Sequence, residues 1–568
     1  MNGKNRRTTG LWSRGIPRPG RVKPLKIPDY KLPIFSNTLK TLATKDQLLL
    51  LEYFENYSFK KRRETFNFNT NSPYCIIGLN KNHFKNGTVR IRVPGIYILE
   101  EDIVFNPNED NDFMPTNQQI QSGLYPTGKN GAYTLGFFAA IAIETKGGVI
   151  LDLNGKSIVQ SNLHNIQQRF YSHIEIAGAP FIPKQGPAEF SSESTFVTAD
   201  NVFIRNGILG QSSHHGIHGN QMKNILIQSL NIQNFEVAGI ALNGAYNSIV
   251  DNVFIGNSKR TVRVLSSYSQ GRFIRKFVQQ ILDTKIEPTL KNIPGSVILD
   301  NLNNALEFSK QLFMSNITPN NIFGNKSPND GYDGNVYGIV LNVNGVVIND
   351  FLQSRPVDAL FNQYILLSNF RIENLVSKPI EITALNVENP TEGAYSGKRQ
   401  VGPAGDVFDI LTVKNDDGTY KKNVLSDSQL LIAKYNNPKI GTTNIKDKIV
   451  GWSEDGTILN DILDSNDYFV HGGDSMGHFM KGNIGLFISG GENIKLYNYT
   501  IKDIENRGNE FISIASQHPS HPAGEYPGGN SYGIANVGST NVVGINEENI
   551  SNISSTFTNT LATKVFTI

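Results

Sequence analysis

Asn201-Val-Phe-Ile-Arg205, Asn224-Ile-Leu-Ile-Gln228 and Asn247-Ser-Ile-Val-Asp251 begin 23 residues apart, and between them Gly216-Ile-His-Gly-Asn220 and Gly239-Ile-Ala-Leu-Asn243 repeat at the same step. A fixed period of this size marks stacked repeats, because one such unit cannot bury its apolar side alone and needs its neighbours. The interval of eight residues from Gly216 to Asn224 recurs from Gly239 to Asn247, Gly485 to Asn493 and Gly533 to Asn541, and from Gly338 to Val346 with the Asn replaced. Asn220, Asn243 and Asn342 each follow their Gly by four residues. Asn tolerates the left-handed backbone of a bend, and in stacked coils its side-chain amide can bond the Asn of the next coil. The pattern therefore predicts an asparagine ladder.

This repeat resembles the right-handed parallel β-helix, or pectin-lyase-like, superfamily over roughly 87–257 and 336–550. The resemblance implies an all-β solenoid with closed, right-handed coils. Stacking at the inter-strand spacing of about 4.8 Å would make residues 23 apart direct neighbours.

Outward from the repeat, Val89, Ile91 and Val93 alternate with Arg90 and Arg92, and Gly148-Val-Ile-Leu-Asp-Leu-Asn-Gly155 reads as a buried strand closed by a tight bend. Thr44-Lys-Asp-Gln47 has the form of a capping box before a short helix through Leu48, Leu51 and Phe54, placed to cover the open end of the solenoid. The chain divides into a basic Pro/Gly-rich arm (1–38), an N-terminal helical cap (39–86), first coils (87–257), a mainly helical insertion (258–335), coils (336–386), a β-rich excursion with a hairpin at Lys414–Gly418 (387–467), last coils (468–550) and a C-terminal tail (551–568). Loops are expected at 106–132 and 160–193.

The formal charge of +3 has an uneven origin: residues 1–28 hold eight Lys and Arg and no acid, so the body is acidic on balance. Such an arm suits an acidic partner; its plain reading is a solvated end. One cysteine, Cys75, excludes an internal disulfide framework and any Cys-based metal cluster. No apolar run follows the first charged residues, so no secretory signal is visible, and no stretch approaches the length of a membrane span. The Asn/Ile/Lys-rich composition resembles that of large DNA viruses with AT-rich genomes, which implies a virion or the host cytoplasm as the setting.

Chemistry concentrates at Ser212-Ser-His-His-Gly-Ile-His-Gly-Asn220. Strand alternation with Ile217 inward sends His218 and His214 outward and His215 inward. Two outward imidazoles can serve as acid and base, with Asp200, Glu236 or Asp251 as neighbouring carboxylates and Glu236 taken as the partner. The plain reading is a polar surface. Pectin-degrading hydrolases of the superfamily carry Asp-Asp, Asn-Thr-Asp, Gly-His-Gly and Arg-Ile-Lys motifs. Here Ile217-His218-Gly219 matches only part of the third and Ile274-Arg275-Lys276 falls in the expected helix, so no catalytic residue carries over. Arg205, Gln228 and Asp251 form an outward row able to bind hydroxyls and carboxylates, to which Arg169 of the 160–193 loop is added; the alternative is an ion-paired solvent face. Asn329–Asn335 has oxygen ligands at calcium-like intervals but lacks the terminal acid, and a plain turn explains it, so no metal or cofactor is assigned. Buried packing explains Tyr337 and Tyr532 better than sugar stacking does.

Two function classes follow. The first is a structural or attachment protein with a glycan-binding surface, in the manner of virion spikes, which are often homo-oligomers. The second is a polysaccharide lyase, hydrolase or epimerase with a groove near His214 and His218. The missing carboxylate motif and export signal weigh toward the first.

Overall fold

The computed structural model describes residues 30–57, 76–127, 131–168, 171–180, 196–257, 289–290, 293–294, 336–342, 361–377, 482–506, 530–555 and 562–567. Two long parallel sheets dominate. The first runs β1 (Ile76–Leu79), β3 (Gly95–Leu99), β6 (Val149–Asp152), β9 (Asp200–Leu209), β11 (Lys223–Gln233), β13 (Tyr246–Gly256), β17 (Gln363–Ser377), β19 (Glu492–Asn506) and β21 (Thr540–Val543), with β4 (Ile103–Phe105), β7 (Ser157–Gln160) and β22 (Ile550–Ser555) pairing alongside. The second runs β2 (Val89–Ile91), β5 (Ala139–Ile143), β8 (Ser172–Glu175), β10 (His215–Asn220), β12 (Ala238–Asn243), β16 (Val336–Asn342), β18 (Gly482–Ser489), β20 (Asn530–Val537) and β23 (Ala562–Thr567). From β8 onward the chain alternates between the sheets, and each turn stacks on the one before. The fold is an all-β solenoid, a parallel β-helix.

The repeat reading holds in register. Ile217, Ile240, Ile339, Leu486 and Ile534 lie opposite one another on successive strands, and all are fully buried in the interior with Ile225, Ile227, Ile232 and Ile255 of the first sheet. Burying each such side chain is worth roughly 1.5–3 kcal/mol, so the core grows with every coil added. At the bends, Asn201, Asn224, Asn247, Asn493 and Asn541 take left-handed backbone. Asn224 Nδ2 donates to Asn201 Oδ1 at 3.0 Å, Asn247 Nδ2 to Asn224 Oδ1 at 2.8 Å and Asn243 Nδ2 to Asn220 Oδ1 at 2.9 Å. A further ladder ties Asn498 to Asn369.

The position after Asn247 in this bend belongs to Tyr364, not Val346. Extra chain between β16 and β17 displaces the bend by 18 residues, so an eight-residue interval fails at that coil. Nor does the chain end its strands at 550: β22 and β23 extend both sheets into the expected tail, where Ile550, Ile553 and Val565 still pack on the core. Of the expected helical insertion, the described residues comprise only an antiparallel pair, β14 (Thr289–Leu290) with β15 (Ile293–Pro294). The helices read at 272–282 and 298–313 and the 387–467 excursion lie outside the described residues.

Two helices, α1 (Asn37–Leu42) and α2 (Lys45–Glu55), precede the coils. The capping box forms as read: Gln47 N donates to Thr44 Oγ1 at 3.2 Å and Thr44 N to Gln47 Oε1 at 2.9 Å. The helix does not sit over the open end, however. Leu50, Leu51 and Phe54 pack against Ile96, Ile150, Phe203, Leu226, Ile249 and Leu366, a row of outward apolar residues on successive strands of the first sheet. The helix runs across that apolar row as a strap. Tyr57 Oη donates to Gly148 O at 3.0 Å at one end, and Lys495 Nζ reaches Leu42 O at 3.3 Å at the other. Residues 30–35, expected to belong to the arm, dock beneath it through Tyr30, Leu32 and Phe35.

The repeated glycines have a steric cause. A Cβ at Gly239 would lie 2.5 Å from Ile255 Cγ2 and 2.9 Å from Gly338 O; at Gly338 it would lie 2.5 Å from Gly485 O, and at Gly485 2.6 Å from Gly533 O. Each glycine presses against the backbone of its counterpart one coil on. Gly239→Ala stiffens the unfolded chain by a few tenths to 1 kcal/mol, but forced repacking in a filled core costs about 1–3 kcal/mol and should dominate. Urea unfolding is expected to show a lower midpoint for Gly239→Ala; an unchanged or higher midpoint would mean that the column is not a packing constraint.

Candidate functional site

A Cβ at Gly216 would lie 2.6 Å from Ile232 Cγ2 in the interior, so Gly216 faces inward together with Ile217, with His215 opposite Ala238 and Ile217 opposite Ile240. Strict alternation is lost there, and His215 faces outward instead of inward. Its ring stacks on His218, with centroids 5.0 Å apart and planes 7° apart, and on His214, at 4.0 Å and 21°. The same phase carries Ala238, Tyr337, Ile484 and Tyr532 along the outer face of the second sheet, where they form a buried cluster with Ala241, Val340 and Phe487, separate from the interior. Tyr337 and Tyr532 are therefore packing residues, on the outside of the coil.

The carboxylate that meets His218 is Glu175, one strand back on β8. Both its oxygens lie 2.8 Å from His218 Nδ1, and Ser172 Oγ donates to Glu175 Oε2 at 3.1 Å. With Nδ1–H donated to the carboxylate, Nε2 is an acceptor, and Asn243 Nδ2 lies 3.2 Å from it. The other amide proton of Asn243 goes to Asn220 Oδ1, and Asn220 Nδ2 donates to Pro180 O at 3.1 Å. His218 and Glu175 are buried, at 7% and 1% exposure. The chain Ser172–Glu175–His218–Asn243–Asn220 thus closes on itself and ends on the backbone.

Glu236, read as the partner acid, sits in the bend between β11 and β12, one coil beyond Ser213 through the Ser212↔Phe235 bridge. Asp200 begins β9 on the first sheet, where burial raises its pKa and the Lys223 amide donates to it at 3.2 Å. Glu175 lay hidden in sequence because it precedes His218 by 43 residues, not 23. Its segment, read as loop, holds a helix, α3 (Asn162–Gln167), and strand β8. A Ser-His-Ile-Glu-Ile alternation at 172–176 was the signal available.

Arg205, Gln228 and Asp251 do form one outward row, flanked by Asp152 and Ser368. Asp251 is buried and accepts from Gln228 Nε2 at 2.8 Å, Ser368 Oγ at 2.7 Å and Asn369 Nδ2 at 2.8 Å. Arg205 Nε lies 3.5 Å from Asp152, to which Tyr30 Oη also donates at 3.1 Å. Burial and the Asp152 charge push the Tyr30 phenol far above its usual range, against the opposing pull of Arg205. Asp251 and Gln228 tie coils together, and Arg205 keeps a buried Nη1 without a hydrogen-bond partner. Arg169, the late histidines His471, His478, His518 and His521, and the Asn329–Asn335 loop lie outside the described residues.

Among the described residues no group of three or more His, Cys, Asp or Glu side chains is arranged to hold a metal ion, and no helix is long and apolar enough to cross a membrane. On the outer face two coils before Glu175, Arg90 pairs with Glu144 through both carboxylate oxygens at 2.6 and 2.7 Å, and Arg92 reaches the same acid at 3.1 Å. Burial raises the Glu144 pKa, opposed by Arg90.

No family model matches the chain, and no curated protein matches it. Among solved structures the chain is similar to the Streptococcus pneumoniae surface protein and adhesin PfbA, at 10% identity over 87% of this chain and 81% of that one, with a TM-score of 0.23. The class that the strands define is the parallel β-helix.

Replacing Asp251 by Ala would strand one buried donor, Ser368 Oγ, and two half-buried ones, Gln228 Nε2 and Asn369 Nδ2. Each donor left without a partner costs about 1–3 kcal/mol, and partial re-pairing lowers the sum. Asp251→Ala is expected to lower the urea midpoint clearly, whereas a change within error would identify the row as a solvent-screened surface.

Proposed function

We propose that this protein is a structural or attachment protein: a stiff β-helical shaft whose lateral surface holds a glycan or other partner. The observation that supports this reading most directly is the closure of its candidate catalytic groups on one another. His218 spends Nδ1 on Glu175 and Nε2 on Asn243, and Asp251 accepts three donors from its own coils. A general base needs a lone pair within reach of substrate, and glycosidic cleavage needs two carboxyl groups facing one bond. Glu175 and Asp251 lie on different sheets, and each is committed to ties between coils. A basic segment at residues 1–28 suits an acidic anchor, and a virion or the host cytoplasm is the setting we infer for such a shaft.

One observation favours a second reading, a polysaccharide-modifying enzyme. A buried carboxylate holding Nδ1 of an imidazole fixes its tautomer and orientation, which is how a His base is prepared in many enzymes. Displacing the Asn243 amide would free Nε2.

Incubating the full chain with acidic and neutral polysaccharides separates the two. The expected outcome is retention on one or more immobilised glycans with no new reducing ends and no unsaturated-uronate absorbance. Turnover that disappears in His218→Ala would replace the attachment reading with the enzyme. Removal of residues 1–28 is expected to weaken retention on an acidic matrix at low salt and to matter little at high salt, since screening shortens the reach of those charges.

A further inference from the structure

Five of the ten histidines, His164, His173, His214, His215 and His218, fall within 55 residues of one another and meet around β8 and β10. His173 is fully buried; its Nε2 donates to Gly210 O at 3.1 Å and Tyr171 Oη lies 3.1 Å from Nδ1. His164, on α3, lies 3.0 Å from Gln160 Nε2 through Nδ1 and packs edge-on against Phe105, Phe113 and Tyr171. Ser213, next to the imidazole stack, donates its amide N–H to Gln160 Oε1 and its hydroxyl to Gln168 O, just past α3. Ile176 N donates to His218 O, and Asn220 holds Pro180 O. The histidines therefore sit where α3 and the Ala177–Pro180 segment are fastened to the second sheet.

We propose that this cluster is an acid-sensitive latch: protons taken up by the buried and stacked imidazoles release α3 and the Ala177–Pro180 segment, while the coils from β16 onward stay closed. Charge supports this. The His215 ring is sandwiched between His214 and His218, so a charge on it is set against neighbouring imidazoles at 4–5 Å, and Glu175 is already bonded to His218. Of the other groups facing this region, Glu144 is taken by Arg90 and Arg92, the Tyr171 phenol is held protonated by burial, and Glu236 lies one coil beyond Ser213.

The titration has a definite sign. Burial lowers the His173 pKa from 6.5 to about 4, and burial with the neighbouring His214 and His218 holds His215 well below its ordinary value. The closed form thus binds fewer protons than the open one. Its stability from His173 is complete above about 6.5 and is lost as the pH falls toward about 4.

Hydrogen exchange of the full chain, followed by mass spectrometry and corrected for chemical exchange rate, tests the latch. Between pH 7.5 and 4.5, peptides spanning 157–180 and 210–220 are expected to open reversibly, up to roughly tenfold more per pH unit for each histidine that titrates. Peptides spanning 482–506 should not change. His173→Gln with His215→Gln should remove most of the response. No acid response, one spread evenly along all coils, or one unchanged in the double variant would overturn the proposal. Should the double variant not fold, exchange at the imidazole C2 carbon of the unaltered chain decides instead: His173 and His215 titrating near 6.5 would overturn the latch, and titration well below it would support it.

Discussion

Everything in this molecule depends on how closely one coil can lie on the next. The parallel ladders set a spacing of about 4.8 Å, and at the glycine column even a single added carbon on one coil would meet the carbonyl of its neighbour. Glycine there meets two demands. It lets the backbones approach, and it lets two successive residues, the glycine and the isoleucine after it, turn toward the interior. The second demand reverses the outward count on its N-terminal side. His215, Ala238, Tyr337, Ile484 and Tyr532 consequently reach the outer face, so the same backbone constraint that builds the core also creates a second apolar surface outside it.

The first sheet has its own outward apolar row, and here the answer is the N-terminal strap. Leu50, Leu51 and Phe54 supply what a solvent-facing strand would have supplied with polar residues. The polar positions that remain on this face, Asp152, Arg205, Gln228 and Asp251, bond along the solenoid axis. Side chains one coil apart are near enough to do so, and an unpaired carboxylate at 5% exposure would be costly. Lateral polar groups in a stacked fold are thus drawn into axial ladders by default, and a free functional group must be kept out of them.

How far this was legible follows from coil length. Wherever successive coils keep 23 residues, spacing encodes contact, and the interior isoleucines, the bend asparagines and the Arg205–Gln228–Asp251 row could all be read in advance. Tyr364 and Glu175 could not, since 117 residues separate Asn247 from the first and 43 separate the second from His218. The capping box was legible because it is local: four residues contain all its partners. Where α2 would lie was not, because the row it covers draws residues from Ile96 to Leu366, and an end and a flank look alike to an amphipathic helix. The inward reading of His215 failed for a subtler cause. A period of two assumes that every residue has a side chain to place, and Gly216 does not.

The histidines show what such a framework does to chemistry. His218 stands at the meeting of a sheet ladder, an asparagine ladder and a buried acid, so each ring nitrogen has a partner supplied by a different coil: Glu175 one behind and Asn243 one ahead. An imidazole held on both nitrogens is poorly placed to move a proton for a substrate. It is well placed to report on whether its coils remain stacked, because separating them breaks both bonds together. The neighbouring His173 is bound in a similar way, by Tyr171 just before its strand and by the carbonyl of Gly210, which precedes β10. At His173 burial disfavours the charged ring, so proton uptake there is linked to opening without any need for a ligand.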